Sequence, residues 1–499
     1  MKVLLVQPAR WNSPLSSAMV IEPLGLEMVG AHLADHHDVK LVDMRWAEDP
    51  REALAKTLET YRPDVVGATV ITSEVMTAGN LMAQVKEFDP SIVTVMGGPQ
   101  PILSPETLIG HNCDVAVTME GEMAFRDLVQ ALEQGDNLHS VPGLALYEDG
   151  QLRRTARRPL IADLGTLKLP KRSLTAEWRQ NYFRGQWKPL AASFTTRGCN
   201  FRCNFCCTWL IGGAAYRTRG IKACLEDLAS IQEDYVFMAE DDSMFDVEYS
   251  EQLADAIIAS GIKKHYQFYS RSDLVVSRPD LFQKWKKAGL DLVLIGMEMA
   301  DDGGLVSINK ENNTDNNERA AKILKQIGIE VIAYFMVDPA TFTADHFKRL
   351  TDYVITQQLT HPVFFIMTPL PGTAQYRERY DMVATDNLEL FDFYHCVVES
   401  KLPLGEFYRR FIDLYKDCYG ARPEGAKQSS AFSSSVVDAL VTRLEQEYAP
   451  YMTLGSLREL RNEPRLSGQV MEEGKTLFPL TFKAGWSVPA STKRLRVRP

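Results

Sequence analysis

Residues 196–209 read TRGCNFRCNFCCTW, and four of the chain's eight cysteines, Cys199, Cys203, Cys206 and Cys207, stand in them. Three residues separate Cys199 from Cys203, and two separate Cys203 from Cys206. A structural zinc site draws its fourth ligand from a second cysteine pair or from histidines. The next histidine is His265, inside an expected strand. The other cysteines, Cys113, Cys224, Cys396 and Cys418, are scattered without framework spacing, which points to a reducing cytoplasm rather than to disulfides. Three thiolates on one short loop suit three irons of a cubane 4Fe–4S cluster, with the fourth iron open to another ligand. Cys207 would point away from the side used by Cys206 and reads as a bystander.

The loop follows the strand pattern LAASFTT and opens a series of six. The others are YVFMAE, HYQFYS, DLVLIG, EVIAYFMV and VFFIM, with helical patterns between them. In one such helix, IKACLEDLASIQ, Ile221, Leu225 and Leu228 share a face with Cys224, a core cysteine. Six βα units predict a partial, open (β/α)6 barrel with its chemistry at the carboxyl ends of the strands. Polar residues collect there. The cysteine loop ends the first strand, Glu240, Asp241 and Asp242 the second, and Ser270, Arg271 and Ser272 the third. Glu298 ends the fourth, Asp338 and Pro339 the fifth, and TPLPGT the sixth.

Residues 1–150 show a second βα alternation: KVLLVQPA, VKLVDM, PDVVGATVI, SIVTVMGG and VAVTMEGE read as strands, with a helix from about Leu24. This order predicts a doubly wound, Rossmann-like parallel sheet that binds ligands at its strand ends. Thr69, Ser73, Gly97, Gly98, Glu120, Gly121 and Glu122 lie at those ends, and glycines let a backbone approach a large ligand closely. Residues 151–188 read as a charged, proline-bearing linker, 189–385 as the barrel, and 386–499 as a mainly helical domain. In that last region Phe407, Phe411, Leu414 and Cys418 fall on one helix face, Gly420 is a natural stop, and the aromatics around Phe393, Tyr394 and His395 offer a substrate wall.

A chain of 499 residues calls for two or three cores, and 45% apolar with 24% charged residues is an ordinary globular balance. The net charge of −10 opposes a nucleic-acid partner. Apolar runs stay short of the roughly 18 residues of a membrane helix. The basic end KRLRVRP reads as a solvated tail, with a peripheral contact to the inner face of a membrane as the alternative.

CNFRCNFC after a first barrel strand resembles the signature of the radical S-adenosylmethionine (SAM) enzymes. MEGEMAF, IGMEMA, GIEVIAYFMVDP and TPLPGT, with EPLGLEMVGAHLA and GGPQP near the start, are similar to the subgroup with an N-terminal cobalamin-binding domain. Within it, PLGLE, SRSD and FDFYHCVVESKLPLGEFY look most like the hopanoid C-3 methylases. The resemblance implies that Cys199, Cys203 and Cys206 hold the cluster and that SAM chelates its open iron. Glu240, Asp241 and Asp242 would meet the methionine amino end, Arg271 and Ser272 the carboxylate or ribose, and Glu298 would be a further cofactor or ribose contact. Thr69, Ser73, Gly97, Gly98, Gln100, Glu120, Gly121 and Glu122 would border cobalamin. Gln100 stands after GGP where related proteins often carry histidine, and the chain lacks the D-x-H-x-x-G motif of enzymes that place a histidine below cobalt.

The implied activity is methylation of an unactivated carbon in a bulky, apolar, hopanoid-like molecule. A deoxyadenosyl radical would remove the hydrogen and methylcobalamin would supply the methyl group, with electrons from a reductase, flavodoxin or ferredoxin. Two rivals keep part of this reading: a cyclase or oxidative enzyme of tetrapyrrole or natural-product synthesis using the same cofactors, and an iron–sulfur electron-transfer protein.

Overall fold

The computed structural model describes residues 1–9, 14–148, 151–422, 432–457 and 459. The basic tail and the rest of the region expected to run to 499 lie outside the described residues. Nine strands come first: β1 (Lys2–Gln7), β2 (Met19–Val20), β3 (Asp38–Asp43), β4 (Val65–Thr69), β5 (Val93–Gly97), β6 (Val115–Val117), β7 (Leu144–Glu148), β8 (Gln151–Arg154) and β9 (Phe183–Arg184). Seven of them form one sheet in the order β3-β1-β4-β5-β6-β7-β8. The pairs from β3 to β6 are parallel, and β7 and β8 add an antiparallel hairpin. Alternate residues of its strands face opposite cores: Leu4, Val6, Val66 and Ala68 on one side, Val3, Leu5, Val65 and Val95 on the other. Strand order reverses between β1 and β4, so the sheet's crevice opens at Gln7 and Thr69.

Two boundaries differ from expectation. Residues 151–154 are the second arm of a hairpin of the first sheet, so a division at 150 cuts through it. The adjacent Arg153 and Arg154 are exposed because β8 is the edge strand of that sheet. The rest of the expected linker is also structured: β9 pairs with β2, and Thr175 and Tyr182 are fully buried.

The second half brings β10 (Leu190–Ser193), the short antiparallel pair β11 (Thr196–Arg197) and β12 (Arg217–Thr218), then β13 (Tyr235–Met238), β14 (His265–Ser270), β15 (Leu290–Glu298), β16 (Glu330–Val337) and β17 (His361–Ile366). The order β10-β13-β14-β15-β16-β17, parallel throughout, is the expected open six-stranded barrel. An open barrel leaves two edges of unpaired backbone groups, and side chains cover both. At β10, Ala192 N–H donates to Glu22 Oε1 (2.5 Å) and Ala192 O accepts from Arg172 Nη2 (2.8 Å). At β17, the Tyr415 hydroxyl accepts from Phe364 N–H (3.0 Å) and donates to Phe364 O (2.8 Å).

Tyr415 belongs to the helix Leu404–Gly420, which buries Phe407, Phe411, Leu414 and Cys418 as its periodicity predicts. The helix Ser434–Tyr448 packs on it through Tyr448 stacked on Tyr408, 4.1 Å between centroids. Cys224 is buried in the barrel core. Among the described residues no helix is long and apolar enough to cross a membrane.

Candidate functional site

Gly198 starts the cysteine loop at φ +89°, and a Cβ there would lie 2.0 Å from Ala215 O, so only glycine permits the turn. The loop closes with Cys206 N–H donating to Cys203 O (3.3 Å). Cys199, Cys203 and Cys206 are free thiols. Burial raises all three, Cys199 to about 11, while Lys310 and Arg271 pull Cys203 back towards thiolate. Cys207 caps the next short helix, Thr208–Ile211, and packs against the cluster of Leu370, Phe391 and Val397.

The acids after β13 form a collar beneath this loop. Glu240 accepts from Thr195 N–H (2.6 Å), the Thr195 hydroxyl (2.7 Å) and the Thr196 hydroxyl (3.0 Å). Asp241 accepts from Gly198 N–H (2.7 Å). These two therefore shape the loop's backbone. Asp242 makes one long bond, from Met244 N–H (3.4 Å), and keeps acceptor capacity. Burial lifts Glu240 to about 7 and both aspartates to about 6.

The expected arginine fork is engaged inside the protein. Arg271 binds Asp273 (3.0 Å) and donates to Lys310 O (3.1 Å) and Glu311 O (2.8 Å). Its guanidinium lies 3.6 Å above the ring centroid of Phe201 in the cysteine loop. Ser272 is fully buried, bonded to Asn317 and Asn312. Glu298, at φ +63°, holds Lys310 Nζ at 2.7 Å. Gly296 makes room for this pair, since a Cβ there would sit 2.1 Å from Glu298 Oε1. Burial opposes the charge on Lys310, yet Glu298 and Cys203 lift it above its ordinary value. Lys310 escaped the sequence reading because it follows a short helix (Asp302–Ser307) rather than ending a strand.

At the carboxyl edge of the first sheet, Thr69 and Ser73 are half-buried and Gly97 is open but for Val117 at 3.8 Å from a Cβ position. Gly98 takes φ +97° against Thr69. Gln100 is fully buried, accepting from the Thr72 hydroxyl (2.6 Å) and donating to Thr107 (2.9 Å); it braces the turn from within. Glu120 and Glu122, flanking Gly121, reach across to the barrel. Arg197 binds Glu120 at 3.1 Å and Glu122 at 2.5 Å, and Arg217, its neighbour across β11 and β12, binds Glu120 at 3.0 Å. The helix Pro99–Leu103 packs on Thr208–Ile211, and Gly372 of TPLPGT closes on Leu103. The two strand-end rims thus face each other.

Of the expected substrate residues, Phe393 is exposed, whereas Tyr394 is fully buried. His395 is held by Asp392 (3.0 Å) among Tyr448 and Tyr451. Those two serve the helical core because the segment folds back under β17, where Phe393 O accepts from Ile366 N–H.

Comparison with known proteins agrees with this geometry. Residues 15–129 match the B12 binding domain family and residues 193–354 the Radical SAM superfamily. The chain is 29% identical to a hopanoid C-3 methylase of Methylococcus capsulatus over 84% of its own length and 80% of the relative's. It is 26% identical to an anaerobic magnesium-protoporphyrin IX monomethyl ester cyclase of Rubrivivax gelatinosus, over 83% and 77%. The fold is shared with the radical SAM methyltransferase TsrM of Kitasatospora setae, solved with tryptophan and a SAM analogue (TM-score 0.65, 15% identity, 90% of this chain and 98% of that one). The donor set suits the family's cofactors: three free thiols on one loop beside two cations for a cluster, and a side-chain-free Gly97 at the crevice rim for a corrin. The chain thus joins a domain of the B12 binding family, rim to rim, to a domain of the Radical SAM superfamily.

Proposed function

We propose that the chain is a C-methyltransferase acting on an unactivated carbon of a bulky, largely apolar molecule, with a hopanoid-like polycycle as the first candidate. The observation that carries this reading is the facing of the two rims through Arg197, Arg217 and Glu120. When bound, the cluster with SAM supplies a radical able to take hydrogen from such a carbon, and cobalamin supplies the methyl group.

The chain's own residues bind, orient and enclose. Cys199, Cys203 and Cys206 hold three irons. Asp242, with spare acceptor capacity, would receive the amino group of SAM, and Lys310, held by Glu298, would attract its carboxylate. Glu240 and Asp241 fix the loop, Arg271 braces it through Phe201, and Ser272 with its asparagines supports that brace. Thr69, Ser73, Gly97 and Gly98 border cobalamin. The turn Leu388–Leu390, packed against Thr72–Glu74 and Val75–Phe88 of the first domain, would help to exclude water from the space between the rims. A flavodoxin, ferredoxin or reductase delivers electrons.

Similarity to a ring-forming cyclase supports one second reading, oxidative cyclisation with the same cofactors. The test is anaerobic. Protein reconstituted with iron, sulfide and cobalamin is given reductant and SAM, and 5′-deoxyadenosine and retained cobalamin are quantified beside Cys203→Ala. Deoxyadenosine from the wild type alone, with cobalamin retained, supports the reading; cleavage without retained cobalamin overturns methyl transfer. Product mass then separates added methyl from lost hydrogen.

A further inference from the structure

The inside of the barrel holds a charge that methyl transfer to a plain hydrocarbon does not use. In β14, Tyr266 and Phe268 pack outward on Trp285 (6.2 and 5.2 Å), so Gln267 and Tyr269 face inward. In β16, Phe335 packs outward on Tyr353, so Tyr334 faces inward. Phe237, Tyr269, Tyr334, Phe365 and Phe393 follow one another around this interior at 5.9, 6.2, 5.4 and 6.1 Å between centroids. Tyr269, Tyr334 and Phe365 are half-buried and Phe393 is exposed, so the belt borders open space. Two neighbouring rings of the belt, Tyr269 and Tyr334, carry hydroxyls.

Beneath the belt lies Arg184 of β9, 2% exposed. Its Nη1 donates to Gln267 Oε1 (3.1 Å), its Nη2 meets the Met19 sulfur (3.3 Å), and its guanidinium lies 4.5 Å over Phe237. Among the described residues no carboxylate pairs with it, and Arg184 Nε and Gln267 Nε2 have no acceptor. A buried cation without an anion is costly. Elsewhere the fully buried Arg219 pairs with Asp227, and the half-buried Arg172, Arg179 and Arg197 pair with Asp227, Glu233 and Glu122. An oxyanion entering from the open side would complete the set, accepting from the tyrosine hydroxyls in the field of Arg184.

We propose that the barrel interior takes an amphipathic acid, its carboxylate held at the Tyr269–Tyr334 pair over Arg184 and its apolar body running towards the cysteine loop. This deepens the methyltransferase reading and rests on it for the reaction alone. Tyr334 lies three residues below the end of β16, so the modified carbon is about 10 Å or more from the acid group. A purely hydrocarbon substrate would leave the floor unpaired.

The test titrates cofactor-loaded protein, by calorimetry, with three acids of different body (dodecanoate, cholanate and deuteroporphyrin) and the methyl ester of each. The expected result is at least one acid binding about tenfold tighter than its ester, the size of one charge-assisted hydrogen bond. That gap closes in Arg184→Met, survives in Arg184→Lys, and narrows in Tyr334→Phe, a variant that keeps the ring should Arg184→Met fail to fold. Esters binding as tightly as acids, binding of none of the six, or a gap indifferent to Arg184→Met and Tyr334→Phe would each overturn the proposal. Binding is read without turnover. Loss of deoxyadenosine formation with the gap intact would therefore sink the radical reading and leave this one standing.

Discussion

Arg197, two residues ahead of Cys199, sets its Nη2 2.5 Å from Glu122 Oε1 in the first turn of the helix that follows the last parallel strand of the other sheet. The pair joins the two domains. Burial and Arg197 act oppositely on Glu122, and the arginine wins, holding the carboxyl below its usual range. The short β11–β12 ladder aligns Arg217 beside Arg197, so two cations from the barrel grip two acids of the B12-binding domain.

Arg197→Met should cost about 3–5 kcal/mol, the usual penalty for breaking a largely buried pair and stranding its partner. Denaturant unfolding measures that cost, and hydrogen exchange should quicken in residues 190–206 with bound cobalamin unchanged. Glu120→Gln with Glu122→Gln should reproduce the exchange change. If those two instead release cobalamin while the loop stays protected, the acids serve the corrin and the clamp reading is wrong.

A second joint carries a proton. Glu22, Asp227 and Glu233 share Arg172, Arg179 and Arg219 in the buried seam beside β10, and Glu27 lies in the field of Arg172 and Arg179. Glu233 takes the fork of Arg179, and Asp227 takes Arg172 and Arg219, leaving four acids against three cations. Glu22 is pushed up to about 8 by burial and by Glu27, against the pull of both arginines. Its folded value lies above the ordinary 4.5, so the folded chain binds the extra proton between those limits. The stability it contributes is complete below about pH 4.5 and lost as pH rises through about 8. Melting temperature should therefore fall between pH 6 and pH 9 by more in the wild type than in Glu22→Gln (pH values roughly bracketing the window). Equal slopes would place the proton elsewhere.

Both sheets were legible in the sequence, because parallel strands buried on two faces are written as short apolar runs between amphipathic helices. The cysteine loop was legible from spacing alone. The partners of the rim acids were not. Glu120 and Glu122 sit where a ligand contact belongs, and only the fold reveals that β11 and β12 carry Arg197 and Arg217 to them. Arg271 looked free for the same reason: its acceptors, the carbonyls of Lys310 and Glu311, are about 40 residues away. Residues 151–188 read as linker because their order comes from pairing with distant segments, β9 with β2 and Tyr182 with Asp43, rather than from local periodicity.

Gly98 offers a test of the corrin rim that leaves the barrel untouched. At φ +97°, with a Cβ position 2.7 Å from Thr69 Oγ1 and 3.1 Å from Val70 N, alanine strains both the backbone and the β4–β5 contact. Gly98→Ala should cost about 1–3 kcal/mol and lower cobalamin retention while iron content holds. Retained cobalamin in a destabilised protein would show that the glycine serves the turn alone.

Cys207 is the remaining thiol of the loop, and its surroundings argue against a place on the cluster. It is half-buried, packs towards Leu370, Phe391 and Val397, and has its thiol raised to about 12 by burial and the nearby Cys206. A cluster ligand must be a thiolate, and an apolar wall works against one. Cys207→Ala should therefore keep full iron and the cluster's visible absorption, at a cost of about 1 kcal/mol for a small void. Cys199→Ala, Cys203→Ala and Cys206→Ala should each lose the cluster under identical reconstitution. Iron lost from Cys207→Ala to the same degree as from Cys206→Ala would move the third ligand one residue along, and with it the side of the loop on which SAM binds.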